Sequence, residues 1–420
     1  MPERIEPDLD ASTTHDPAAA PTAAAAIVQS ANWRLALDLV LQDTLEHRPT
    51  SPDLVLLFAS SDYAEDFPAL VRETYERSGT SCLVGSSSSG ALANAVSFEN
   101  QPCLAMICLW LPEVTLTPVR LHQSMLDVLD DDDLWAEMYG PPPEETRAWL
   151  LFADPFRMDA HEMVARLSAR YPGTPMMGGT ASSAGQERRT WVFFDGQVYD
   201  EGGVALAIGG PYDLHIVLSQ GCDPIGEPWT ITGVERNLIT TISNRPATRV
   251  LQETIDALPP ESRATIERNL LLGFPIDEYQ HQFHRGEFVV RGLLGIDQEK
   301  GALIVGSLPR VGQTVQFQQR DARSSALDFQ QVLVDARAMV GDAAPVAGLL
   351  CTCKGRGTAM FGRPDHDALA VQAAFRGLTV GGMYSFGEIG PINGHTVLNG
   401  FTAVLGLLTY RGGKGHTPHG

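Results

Sequence analysis

The sequence predicts an α/β fold of the α+β kind, with mixed parallel and antiparallel sheets and flanking helices. Three stretches of the chain repeat one order of elements: an apolar strand, an amphipathic helix, a second strand and a glycine-rich loop. Between them lie segments rich in aromatic and β-branched residues and broken by Gly, Asp and Pro, a pattern typical of antiparallel hairpins. We therefore expect parallel strand–helix–strand units joined to antiparallel strands, arranged as two related sandwich-like halves.

The first helix is predicted ahead of the first repeated unit. Apolar residues recur every three or four positions from Trp33 to Leu45, the spacing of an amphipathic helix, and Pro49 and Pro52 end it. Residues 1–28 are rich in Pro and Ala and offer little apolar area to bury. We expect them to form a disordered tail.

The three repeated units are the most informative pattern in the chain. Each glycine loop follows the second strand of its unit, where the carboxyl ends of parallel strands usually hold ligands. The sequence leaves the arrangement of the loops in space open. The units run from Leu54 to GSSSSG at Gly85, from Trp149 to GGTASSAG at Gly178, and from Gly348 to GGMYSFGEIG at Gly381.

A break in the chain near residue 260 suggests a division into two domains. A helix is predicted from about Pro246 to Leu258, and two consecutive prolines follow it. We place an N-terminal domain at 29–258 and a C-terminal domain at 259–412.

Composition excludes several classes of protein. The 420 residues are 44% hydrophobic and 19% charged, which is typical of a globular protein. Lys and Arg total 30 against 51 Asp and Glu, and the formal net charge of −21 repels nucleic-acid phosphates and anionic lipid heads. Because no long apolar run and no secretory signal pattern is present, we expect a cytoplasmic protein without a nucleic-acid partner or membrane insertion.

Common catalytic and metal-binding motifs are missing from the sequence. The loop GSSSSG lacks the Lys of a P-loop, and its glycines are spaced too widely for a nucleophile elbow. HExxH, EF-hand and CxxC patterns are absent too. We expect no metal, no cofactor and no catalysis, and we expect the six Cys to be free, buried thiols.

The segment 351–402 is chemically dense. Its loop CTCKGRG supplies Lys354 and Arg356 after a predicted strand, and the paired glycine loop supplies Glu388. If the two loops are neighbours, Arg356 or Lys354 would bind the carboxylate of a zwitterion and Glu388 its ammonium group. An amino acid is the simplest ligand of this form. A structural Arg356–Glu388 ion pair that closes the two loops is the alternative.

An enzyme is a further alternative, with Cys351, Cys353 or Ser88 as nucleophile. The cations Lys354 and Arg356 would lower the pKa of a nearby thiol. No His has a spacing that implies contact with these residues, so the sequence offers no general base.

Several separate motifs follow one another along the chain. They are GSSSSGAL, GGTASS with TWVFFDG, QGCDPIG with WTIT, Asn237, Arg245-Pro246-Ala247, CTCKGRG, YSFGEIGP and LNGFTAVLGLL, in that order. With these motifs the sequence resembles the FIST family, a sensory module of bacterial signalling proteins and some F-box proteins. The resemblance covers about 30–410 and implies a FIST N-terminal and a FIST C-terminal domain. It further implies ligand sensing without established catalysis, with amino acids among the ligands proposed for the family.

The resemblance and the dense segment together predict a ligand site. Family members commonly carry His where this chain has Asn399, so an ionisable role at that position is absent here. The two domains leave no room for a kinase, cyclase, methyl-accepting or F-box segment, so a sensor would signal through an unidentified partner protein; a protein–protein interaction module is the alternative function. The predicted ligand-binding residues are Lys354, Arg356, Tyr384, Glu388, Asn399 and Thr402.

Overall fold

The computed structural model describes residues 20–46, 48, 50–130, 134–135, 140–185, 188–260, 263, 266, 270–280 and 282–412. The strands are β1 (Thr22–Gln29), β2 (Leu54–Ser60), β3 (Leu83–Ser88), β4 (Gly90–Ala93), β5 (Val96–Glu99), β6 (Cys103–Trp110), β7 (Thr115–Leu121), β8 (Ala148–Ala153), β9 (Met176–Thr180), β10 (Val192–Phe194), β11 (Gln197–Tyr199), β12 (Gly203–Gly209), β13 (Tyr212–Ser219), β14 (Cys222–Glu235), β15 (Leu238–Ile242), β16 (Arg245–Pro246), β17 (Leu270–Pro275), β18 (Phe288–Asp297), β19 (Ala302–Val305), β20 (Thr314–Arg320), β21 (Ala347–Cys353), β22 (Val380–Ser385), β23 (Glu388–Ile392), β24 (His395–Asn399) and β25 (Ala403–Tyr410). The α-helices are α1 (Trp33–Leu45), α2 (Phe67–Ser78), α3 (Ala160–Arg170), α4 (Ala247–Asp256), α5 (Ala322–Val340), α6 (Thr358–Phe361) and α7 (His366–Ala374).

The strands form four sheets, of which three are built alike. Each of the three has six strands and contains one parallel pair, and that pair is joined through a helix that packs on the outer face. The strand orders are β1-β6-β2-β3-β10-β11, β24-β23-β9-β8-β12-β7 and β13-β25-β21-β22-β4-β5. The mixed sheets with flanking helices are therefore as predicted, but the repeat is threefold and follows the three sequence units rather than two halves.

A glycine in each unit explains why the sequence repeats there. On the second strand of each parallel pair, a Cβ atom added to one glycine would lie 1.9 Å from a carbonyl oxygen of the first strand. Only glycine allows so close an approach of the two backbones. The glycines and the carbonyls they face are Gly85 and Leu57, Gly178 and Leu151, and Gly382 and Leu350.

The main hydrophobic core lies where the inner faces of the three sheets meet. Phe58 of β2 and Phe152 of β8 contact each other edge to face, with ring centroids 5.5 Å apart, and Cys351 of β21 and Met383 of β22 belong to the same cluster. Burial of each such aromatic side chain stabilises the fold by about 1.5–3 kcal/mol. Because both faces of each parallel pair are covered, its first strand is a nearly continuous apolar run, whereas its second strand contains glycine and hydroxyl-bearing residues.

The fourth sheet is separate and wholly antiparallel. Its order is β14-β20-β17-β18-β19-β15-β16, and α4 packs on it. Strands from both sides of residue 258 belong to this sheet. The predicted division into domains 29–258 and 259–412 therefore falls inside one sheet.

Strand β1 corrects the predicted disordered tail. Residues 22–29 pair antiparallel with β6, from Thr22 opposite Trp110 to Gln29 opposite Cys103, and Ala26 is buried. The side chains of Ala24 and Ala26 pack towards α1 while the backbone of β1 pairs with β6, so this strand gains order from its neighbours rather than from its own apolar area. Residues 1–19 of the predicted tail lie outside the described residues. In the described part of the chain, no helix is long and apolar enough to cross a membrane.

Candidate functional site

The three glycine loops meet at the carboxyl ends of their parallel strands. We call this meeting of 85–90, 178–185 and 381–390 the junction. Its serines are buried, and their hydroxyl groups bond backbone groups of neighbouring loops. Each pair of loops is joined directly: Ser182 N donates to Ser87 O (3.1 Å), Ser88 Oγ to Tyr384 O (2.8 Å) and Thr180 N to Gly387 O (2.8 Å).

Arg356 lies beside the junction, in the single turn that follows β21, with 1% of its surface exposed. Its Nε and Nη2 donate to the two carboxylate oxygens of Asp367 at 2.9 and 3.0 Å. Burial alone would raise the pKa of Asp367, but Arg356 and His366 hold it well below its usual range. The alternative of an Arg356–Glu388 ion pair is therefore wrong, because the guanidinium is engaged by a carboxylate of α7.

Glu388 is fully buried at the start of β23 and is held by uncharged donors. Ser385 Oγ donates to its Oε1 at 2.7 Å, and the backbone N and Oγ1 of Thr402 donate to its Oε2 at 3.1 and 2.7 Å. Burial raises the pKa of Glu388 to about 7, although these hydrogen bonds and Arg320 act in the opposite direction. Thr402, itself a predicted ligand-binding residue, thus contacts Glu388.

The remaining predicted residues differ in their exposure. The Tyr384 side chain is buried and its Oη donates to Ser97 Oγ at 3.3 Å. Lys354 is exposed, and its Nζ lies 4.4 Å from the centroid of the Phe386 ring. Of these two, only Lys354 is available to a ligand from solvent.

A cleft of about 680 Å³ opens beside the junction, and Asn399 lines it. We call it the Asn399 cleft. One wall consists of the junction residues Phe386 and Gly387 together with the end of β24, and the opposite wall consists of the start of α3 and strand β18. The cleft thus lies between the threefold core and the fourth sheet, at the carboxyl end of β9.

Asn399 has an unused hydrogen-bond acceptor in this cleft. The side chain is 3% exposed, and its Nδ2 donates to Val397 O at 3.0 Å. Its Oδ1 is buried and has no hydrogen-bond partner among the described residues. A buried acceptor without a partner costs about 1–3 kcal/mol, so this oxygen is suited to a donor that a ligand supplies.

Arg291 of β18 lines the same cleft and brings a positive charge. Its Nη1 donates to Val290 O at 3.0 Å and its Nη2 to Leu398 O at 3.2 Å, and no carboxylate of the described residues forms an ion pair with it. Burial lowers the pKa of Arg291 to about 10. Burial, followed by the charge of Arg291, also lowers the pKa of His161 at the start of α3.

Arg291 is not among the ligand-binding residues that the sequence predicts. The available signal is one charged residue inside the apolar run FVVRGLLG, where a strand with both faces covered would not carry an unpaired cation. The run alone does not say which cleft the residue reaches, since it lies more than a hundred residues from Asn399.

Another cleft is larger but offers no charged anchor. It measures about 820 Å³ and lies against α3, β13 and the turn between β23 and β24, and its described lining contains no Asp, Glu, Lys or Arg. A zwitterion would find no opposite charge there. The Asn399 cleft is therefore the better candidate for a charged small ligand.

The six cysteines are free and buried, as predicted, and the alternative of an activated thiol at Cys351 or Cys353 is not supported. Burial raises the pKa of Cys353 to about 11 and raises that of Cys351 as well, so Lys354 and Arg356 do not activate a thiolate. The physical reason is that Lys354 faces solvent and Arg356 is paired with Asp367. No group of three or more metal-ligating side chains occurs among the described residues.

Two similar proteins from mycobacteria are described as uncharacterised. A protein of Mycobacterium tuberculosis is 33% identical over 361 residues, which are 85% of this chain and 91% of that protein. A protein of Mycobacterium bovis is 37% identical over 259 residues, 62% of this chain and 67% of its own length. Among solved structures, a cyanuric acid hydrolase from A. caulinodans aligns with a TM-score of 0.36 and 7% identity, over 93% of this chain and all of that one.

Two family models match consecutive parts of the sequence. The FIST N domain matches residues 53–245 and the FIST C domain matches residues 247–391. FIST domains are sensory domains that bind small ligands. Since the two matches cover most of its length, the chain belongs to the FIST family.

Proposed function

We propose that this protein senses an amino acid or a similar small zwitterion, which it binds in the Asn399 cleft, and that it signals through a separate partner protein. One observation carries the proposal: an unpartnered buried acceptor, Asn399 Oδ1, and a guanidinium without a carboxylate partner, Arg291, line one cleft. An ammonium group supplies the missing donor, and a carboxylate supplies the missing negative charge.

The two groups are neighbours in the fold. Arg291 Nη2 contacts the carbonyl oxygen of Leu398, the residue that precedes Asn399. An α-amino acid carries its ammonium and carboxylate groups on one carbon atom, so a donor and an acceptor this close together match it. Arg291 has Nη protons beyond those used on Val290 and Leu398, and they remain for a carboxylate.

The other predicted residues support the cleft in this proposal. Glu388 lies opposite Asn399 in the register of β23 and β24, so its negative charge, when present, favours an ammonium group nearby. Arg356 fixes the turn after β21 through Asp367. Lys354 stacks on Phe386, which lines the cleft, and adds positive charge at its mouth.

The test is a thermal-shift screen of the purified protein against the common amino acids, followed by calorimetric titration of each that binds. Every amino acid is paired with two analogues, one that lacks the ammonium group and one that lacks the carboxylate. We expect one amino acid or a small group of them to raise the melting temperature, because a ligand at about a hundred times its Kd stabilises the folded state by about 2.7 kcal/mol. Both analogues should bind at least about tenfold more weakly.

Substitutions of cleft residues then test whether the ligand binds in the Asn399 cleft. Arg291→Gln and Asn399→Leu should each weaken binding about tenfold or more, since each removes one charged or charge-assisted contact. The control is Arg249→Gln, which removes an exposed Arg from helix α4 and should leave binding unchanged. Helix α4 packs on the fourth sheet, to which Arg291 also belongs. Equal affinity of wild type and both cleft variants would contradict the proposed site. Equal binding of the analogues would contradict a zwitterionic ligand.

A further inference from the structure

A second cavity lies next to the Asn399 cleft, and Phe401 lines both. It measures about 430 Å³ and lies between the end of β20, the start of α5 and the turn that follows β21. We call it the Arg320 cavity after its one basic lining residue. Nothing in the proposed binding of a zwitterion uses it.

Arg320 is buried in this cavity with part of its donor capacity unused. The residue is 8% exposed, its Nη2 donates to Gly355 O at 2.9 Å, and its guanidinium lies 5.1 Å from the Phe401 ring centroid. Its Nε is buried and has no partner among the described residues, where no carboxylate forms an ion pair with it either. Burial lowers the pKa of Arg320, and the nearby guanidinium of Arg356 lowers it further, while Cys353, Cys222 and Glu388 act in the opposite direction. An anion would relieve both costs.

The acidic residue of the cavity is already engaged. Asp321 is the N-cap of α5, and its carboxylate accepts a hydrogen bond from Ser324 N at 2.7 Å. The partial positive charge of the helix end stabilises that carboxylate in place. Asp321 forms no ion pair with Arg320 in the described structure, and the oxygen that caps α5 is not a free acceptor for an ammonium group.

The rest of the lining is apolar. Leu271, Ala322, Ala359, Met360 and Phe401 contribute side chains without charge. A strongly hydrated anion such as phosphate would leave its other oxygens against these groups without donors. A carboxylate with a short hydrocarbon tail matches both parts of the cavity.

We propose that the Arg320 cavity is a second ligand site, which binds a small monocarboxylate with its carboxylate on the Arg320 guanidinium and its apolar tail against Phe401 and Met360. The site differs from the Asn399 cleft in its cation, which is Arg320 and not Arg291. It also differs in its ligand, because it selects an anion with an apolar tail and not a zwitterion.

Calorimetric titration of the full chain with butyrate tests this site, with butylamine and acetate as matched probes that lack the carboxylate or most of the tail. We expect butyrate to bind, and butylamine and acetate to bind at least about tenfold more weakly. Arg320→Gln should weaken butyrate binding about tenfold or more, whereas Arg291→Gln should leave it unchanged.

A second variant keeps the test valid if Arg320→Gln does not fold. Ala359 is exposed at the mouth of the cavity, and Ala359→Trp should block entry without removing a buried contact. Absence of butyrate binding in wild type, or unchanged binding in both Arg320→Gln and Ala359→Trp, would overturn the proposal. Loss of butyrate binding in Arg291→Gln would also overturn it, because the anion would then occupy the Asn399 cleft.

Discussion

Two buried carboxylates near the junction, Asp367 and Glu388, are stabilised in different ways. Asp367 faces a guanidinium in bidentate geometry and accepts a further hydrogen bond from Thr352 Oγ1 at 2.8 Å. Glu388 receives only hydroxyl and amide donors. The pKa of the first is held well below its usual range and that of the second is raised to about 7. Hydrogen bonds from hydroxyl and amide groups are therefore not enough here to offset the burial of a charge, whereas a bidentate guanidinium together with the His366 ring is.

The largest expected effect comes from breaking the ion pair with Asp367→Asn. The change keeps the shape of the side chain but leaves the buried Arg356 charge without its carboxylate. Removal of one partner of a buried pair costs about 3–5 kcal/mol, because the remaining charge stays desolvated. Urea unfolding at pH 7 should show this loss in the free energy of unfolding. A loss below about 1 kcal/mol would mean that Arg356 finds another partner or reaches water.

The next effect concerns Glu388 and the pH dependence of stability. Because the pKa of this group rises from 4.5 in its ordinary state to about 7 in the folded protein, the folded state holds the proton more tightly. Its contribution to stability is therefore full below pH 4.5, falls as the pH rises through 7, and is constant above that. The fall is about 3 kcal/mol.

Glu388→Gln isolates this contribution. We expect the free energy of unfolding of wild type, relative to the variant, to fall steadily between pH 4.5 and 8. Urea unfolding of both proteins at several pH values gives the difference curve, in which the titration of all other groups cancels. A flat difference curve would show that Glu388 ionises in the folded protein as it does in the unfolded chain.

Asp367 gives a dependence of the opposite sign, which urea unfolding of wild type and Asp367→Asn at several pH values should show as a difference curve. Its folded pKa is depressed, so its contribution to stability is present above its ordinary value of 3.8 and is lost as the pH falls towards its folded value.

The fold was predictable where one segment carries its own pattern. The three strand–helix–strand units follow from apolar runs and from glycines whose absence of a side chain lets adjacent strands approach, and both are local features of the sequence. Strand β1 was not predictable in this way. Its alanines are ordered by β6, about eighty positions further along the chain, and by α1.

The candidate site was only partly predictable for the same reason. The sequence indicated Asn399 and Glu388 because they belong to the glycine-rich motifs at a sheet edge. For Arg356, the alternative partner predicted from the sequence, Glu388, was wrong. Its partner in the structure is Asp367, which reaches it only because α6 and α7 fold back over the turn that follows β21. Arg291 and Arg320 belong to the fourth sheet, whose position against the junction no local pattern encodes.

The smallest expected effect comes from exposed ion pairs, in which Glu253 of α4 contacts both Arg245 and Arg249. Arg245 Nη1 lies 2.6 Å from Glu253 Oε2, but 34% and 46% of the two side chains are exposed. Solvent and salt screen such a pair, and both charges stay hydrated when it breaks. Glu253→Gln should therefore leave the urea midpoint within experimental error of wild type at physiological ionic strength. If it destabilised the protein as much as Asp367→Asn, the desolvation of Arg356 would not be what sets the two pairs apart, and the contrast between Asp367 and Glu388 would need another cause.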